Sequence, residues 1–221
     1  MIKFPLNWGT VKERISFLKE NLRTRDDKRK IAIGFAVGVV ACFFAISAGV
    51  GVAVYKSQSR TSFVRMWASF VPYPVAITGL RVITYSEYLK DLNALENFYA
   101  RQQQLSGLPA PLESELEQAV IDRLLRNMAL QNLAKEKKIS ITKEEIENKF
   151  TETVSEVGTR EDAEKLIKEL YGWDSQTFMD RVLVYYLLEQ KLGSSFGSVE
   201  DFDALMDSEI AKLKETRFFG K

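Results

Sequence analysis

Few residues in this chain are equipped for covalent chemistry. Its 221 residues include no histidine and one cysteine, Cys42. Without an imidazole there is no Ser-His-Asp or Cys-His arrangement, no HExxH zinc site and no histidine proton shuttle. Neither a GxGxxG nor a GxxxxGK[ST] phosphate loop occurs, so no nucleotide cofactor is expected. Carboxylates alone remain, in no pattern that points to catalysis, metal or cofactor binding. Cys42 closes Val39-Val40-Ala41-Cys42, which has the form of a bacterial lipobox. A lipidated cysteine would be followed by polar residues, whereas Phe43 to Tyr55 stays apolar. Cys42 therefore reads as a small side chain buried in a membrane. The chain is expected not to be an enzyme.

The stretch around that cysteine organises the rest. Residues 31–55 contain no Asp, Glu, Lys or Arg. A bilayer core of about 30 Å needs roughly 20 apolar helical residues to cross it. A cleaved signal peptide would have a shorter apolar run and a shorter basic region before it. Residues 31–55 thus read as one transmembrane helix. Within it, Gly34 and Gly38 form a GxxxG, a spacing that lets two helices approach closely, and a homodimer through this face is a possible consequence.

Charge is divided unevenly about this helix. Residues 1–30 hold nine cations and four acids, and the residues after them hold twenty-two cations and twenty-six acids. The positive-inside rule places residues 1–30 in the cytoplasm and residues 56–221 on the periplasmic or cell-surface side. A net charge of −4 beyond the helix argues against nucleic acid as a partner. The N-terminal segment opens with a capping box, Thr10 to Glu13. Val11, Ile15, Leu18 and Leu22 then recur at helical spacing, which suits a basic amphipathic helix on anionic membrane lipid.

After a juxtamembrane helix or linker over 56–71, broken by Pro72 and Pro74, a helical domain is expected over 72–221. It begins with one extended segment, Val75 to Ile83. Capping boxes at Thr84/Glu87 and Thr142/Glu145, and caps at Thr159 and Asp174, open helices. Gly107, Gly158 and Gly172 close them. The run Val182 to Leu188 is apolar on nearly every side and is expected to be the central buried helix.

The order of these motifs resembles that of SurA-type, PpiD-like periplasmic chaperones. Val75-Ala76 with Ile83-Thr84 and Glu87 resembles the opening of their N-terminal domain. Leu116 to Leu125, followed by Ala134 to Ile146, resembles its next stretch. Tyr171-Gly172-Trp173, Phe178 and Tyr186 to Leu192 resemble its closing helix. The similarity covers about residues 72–192. Gly79-Leu80 departs from the family's Asn-Gly. The resemblance implies a mainly α fold: an N-terminal transmembrane helix and an extracytoplasmic all-helical cradle for unfolded or newly exported chains, near the secretion translocon. Residues 193–221 are too few for the family's parvulin isomerase module, so an ATP-independent holdase without isomerase activity is expected. The alternative is a structural or assembly protein whose helical domain binds one dedicated partner.

A holdase needs adaptable apolar surface, and aromatic side chains suit it. Tyr73, Tyr85, Phe98, Tyr99, Trp173, Phe178 and Tyr185 are the candidates for a client groove. Each has an alternative place in the helical core.

Overall fold

The computed structural model describes residues 25–78 and 81–215. The expected amphipathic helix of the N-terminal segment and the Gly79-Leu80 turn lie outside the described residues. The described residues fall into two units, divided between Val52 and Ala53.

Helix α1 (Arg25–Ser57) is unbroken by proline and includes a 26-residue span, Ala32–Ser57, long and apolar enough to cross a membrane. Over residues 32–46 its apolar side chains point outward: Phe35 is 75 % exposed and Phe44 66 %. The hydroxyl of Ser47 donates to the Phe43 carbonyl at 2.8 Å, satisfying a polar group inside an apolar segment. The space beside Gly34 and Gly38 is open.

The second unit begins in the last turns of α1, where Val54 is buried and the Tyr55 hydroxyl donates to the Pro74 carbonyl at 2.9 Å. Helix α2 (Ser62–Phe70) ends just before Pro72, as the proline requires. Strands β1 (Pro74–Thr78) and β2 (Arg81–Thr84) then pair antiparallel, Ile77 opposite Val82, with an irregularity between Pro74 and Ala76. The single extended segment expected from sequence is therefore two paired strands. Thr84 caps α3 (Tyr85–Ser106) reciprocally with Glu87, and Gly107, at φ 71°, stops it.

Helix α4 (Glu113–Glu136) is the central helix. Ten of its side chains are buried, among them Leu116, Val120, Leu124, Leu125, Met128 and Leu130. It packs against α3, α8 (Val184–Gly193) and α9 (Val199–Glu215). The apolar run Val182 to Leu188, expected at the centre, lies instead on one side of α4. A π-helical turn (Met179–Leu183) joins α7 (Ser175–Phe178) to α8, and Tyr186 faces solvent. Ten buried side chains on α4 against three on α8 make α4 the enclosed helix.

Helices α5 (Lys143–Val157) and α6 (Arg160–Tyr171) are in contact, and α6 packs chiefly on α3. Thr142 and Thr159 cap them through Glu145 and Asp162, and Gly158, at φ 139°, makes the short turn between them. Gly172, at φ 70°, ends α6 against Asn97, where a Cβ would stand 3.0 Å from the Asn97 amide nitrogen.

Candidate apolar capture site

The facing stripes of α5 and α6 have the helical period. Phe150, Thr153, Val154 and Val157 line one wall, and Ala163, Leu166, Ile167 and Leu170 the other. Phe150, Ala163 and Ile167 are buried and belong to the floor. Val157 is 47 % exposed and Leu166 40 %, so the upper walls are open to solvent. The Thr153 hydroxyl donates to the Lys149 carbonyl at 2.9 Å, which leaves its methyl group for the groove. The resulting cleft of about 170 Å³ is almost wholly apolar. A cavity of roughly 150 Å³ lined by aliphatic and aromatic groups holds a benzene ring, so this cleft suits one large apolar side chain.

Tyr171 and Phe178 close one end of the groove, their ring centroids 6.0 Å apart. Behind them lies an aromatic stack. Tyr171 is parallel to Phe98 at 5.7 Å and stacked on Trp173 at 5.6 Å, and Tyr99 meets Phe98 edge-on at 5.4 Å. Four of the seven aromatic candidates, Phe98, Tyr99, Trp173 and Phe178, are thus gathered at one place. Phe178 lines the groove, Phe98 and Tyr99 are half-buried behind it, and Trp173 is buried beneath the Arg123 guanidinium, 5.8 Å from its ring.

The other three candidates lie elsewhere. Tyr73 is buried, and its carbonyl accepts from the Tyr85 N–H at 2.7 Å. Tyr85 is fully buried, stacks on Tyr88, and donates its hydroxyl to the Ser59 carbonyl at 3.0 Å. Burial pushes the Tyr85 hydroxyl up to about 12 and raises Tyr88 as well. Arg60, beside them, binds Glu96 at 2.8 Å, Glu113 at 2.7 Å and also Glu117, fixing α3 to α4.

Tyr185 lines a second cleft of about 350 Å³ with Arg81, Glu87, Lys90, Asp180 and Arg181. Charges of both signs make this cleft unsuited to apolar capture. Burial raises the Tyr185 hydroxyl, with Arg81 and Arg181 opposing, so the phenol keeps its proton at neutral pH. Among the described residues no group of His, Cys, Asp or Glu is placed to hold a metal.

Neither Tyr171, which enters the sequence reading only in the Tyr171-Gly172-Trp173 motif, nor Val157 is among the groove candidates. Both fall on the stripes already visible there, Val157 three residues after Val154 and Tyr171 four after Ile167. Their positions at the helix ends gave no sign that the groove would open beside them.

A family model described as SurA-like N-terminal domain matches residues 20–156. The match starts ahead of the apolar helix and ends with α5, whereas the motif resemblance began at residue 72 and ran on to 192. No curated protein and no solved structure shows a significant match. With more than half its length matched, the chain belongs to the SurA-like N-terminal domain family.

Proposed function

We propose that this protein is a membrane-anchored, ATP-independent holdase that captures apolar segments of unfolded or newly exported polypeptides. The observation that carries the reading is the solvent-open apolar groove between α5 and α6. A groove of this kind takes many different side chains, because apolar burial is non-directional. Family membership supports a protein-binding, extracytoplasmic role. The span Ala32–Ser57 supports an anchor, which would hold the domain beside chains leaving the translocon and raise its effective concentration there. A second apolar feature favours the same activity. Residues 102–112 carry no charge, and Leu105, Leu108 and Leu112 in that stretch are 76 %, 58 % and 68 % exposed.

The test is light scattering of a denatured model protein diluted into buffer containing the full chain in lipid nanodiscs. Suppression of aggregation near stoichiometric ratio, without ATP, is expected. The double variant V157S/L166S changes only open positions of the groove, so it should keep the wild-type circular dichroism and lose most of the suppression. No suppression by a folded wild-type protein would sink the holdase reading and favour a module for one dedicated partner.

A further inference from the structure

We propose that the α5–α6 groove selects apolar segments that also carry lysine or arginine next to the apolar residue. The inference rests on the groove being the capture site. Residues 143–171, which form its walls and their turn, hold nine acids and five cations, a net charge of −4. Two of the cations at the edges are already matched, whereas Lys165, which adjoins Leu166 and acts on Asp162, and Lys168 are in no ion pair among the described residues. Lys149 binds Glu152 at 2.9 Å, and Arg160 binds Glu164 at 3.2 Å and Glu147 at 3.5 Å while lying over the Phe150 ring.

The acids at the edges are not matched in the same way. Glu156 adjoins Val157, and Asp162 is one helical turn before Leu166. Neither is in an ion pair among the described residues. Asp162 is held below the usual carboxylate range by the Thr159 cap, so it keeps its charge at neutral pH. Glu169, three residues after Leu166, meets Arg101 only at 3.5 Å across exposed surface, a weak pairing. An apolar cleft with an acidic rim complements a side chain that is aliphatic along its stem and cationic at its tip. Lysine and arginine flanking an inserted apolar residue would lay their stems over Val157 and Leu166 and reach the rim carboxylates with their heads. Acidic flanks would meet like charge.

The test uses the full chain in nanodiscs of zwitterionic phosphatidylcholine, which avoids attraction of basic peptides to anionic lipid. Fluorescence anisotropy compares three short labelled peptides with identical leucine and phenylalanine positions, flanked by lysine, serine or glutamate. The lysine peptide should bind about tenfold more tightly than the glutamate peptide at low salt, a gap that shrinks at about 0.5 M salt. The variant E156K/E169K, at two exposed positions outside the helix caps, should erase the gap between the lysine and glutamate peptides. Equal binding of all three peptides, or a preference that survives E156K/E169K, would overturn the proposal while leaving the groove as the capture site. Failure of all three peptides to bind would remove both.

Discussion

A carboxylate shut away from solvent must be matched by cations, and Asp91 shows how this domain does it. Asp91 is buried on α3 and receives Arg123 of α4 at 2.7 Å and Arg181 of the π-helical turn. One side chain therefore ties three elements together. The π-turn has a reason here, since such insertions re-aim side chains and this one carries the arginine that reaches Asp91. Asp91→Ala would leave two cations without their shared partner and should cost about 3 kcal/mol, read as a lowered thermal midpoint by circular dichroism. An unchanged midpoint would show that the cluster is not structural.

Tyr85 and Tyr88 give a second residue-scale expectation. Their hydroxyls are raised above the ordinary value of 10 by burial, Tyr85 to about 12. The folded state then holds protons that the unfolded state has released, so their contribution is complete below pH 10 and is lost as pH rises towards 12. Thermal melts across that range, with tyrosinate absorbance followed alongside, should show stability falling. The fall should be shallower in Tyr85→Phe.

At the scale of elements, the helix boundaries were legible in the sequence because caps are local chemistry. Thr84 with Glu87, Thr142 with Glu145 and Thr159 with Asp162 each close the reciprocal bonds that their spacing calls for. Gly107 and Gly172 stop helices by entering the left-handed region. The π-turn was not legible, because Met179 to Leu183 reads as ordinary helix and the insertion serves a partner 90 residues away on α3. The burial of Tyr73, Tyr85 and Trp173 was equally hidden. An aromatic on a helical stripe shows that something covers that stripe, not whether the cover is protein or client.

The caps also carry the stability of the groove's walls. Thr159→Ala should cost about 1 kcal/mol and speed amide exchange in α5 and α6 ahead of α4. Uniform exchange across the domain would contradict this. Three cap carboxylates lie below their ordinary values: Glu145 through Lys191 and Thr142, Asp162 through Thr159, and Asp174 through Thr177. Their contribution is present above the ordinary carboxylate range and disappears as pH falls through their lowered values. The α5–α6 pair should therefore loosen in acid first, visible as local exchange before the global transition.

The whole molecule joins a helix suited to a bilayer to a helical domain with an open apolar cleft. Sequence alone carried the first part, since an uncharged run of this length admits few other readings. It carried the family through the order of loose motifs, each weak by itself. It did not carry the site. The groove exists because two amphipathic helices meet at Gly158 with their stripes incompletely covered, a tertiary fact that no periodicity shows. If α1 spans a membrane, the full chain should stay in the membrane pellet after alkaline carbonate extraction. Release into the supernatant would contradict the anchor.

The most direct test of capture in the groove is site-specific photocrosslinking of the full chain in nanodiscs to an unfolded client. A benzophenone amino acid replaces Leu166 in the groove and, separately, Asp207 on the exposed surface of α9. Strong crosslinking from position 166 and little from 207 is the predicted result. Client binding with no crosslink from 166, or equal yield from both positions, would contradict the groove as the capture site.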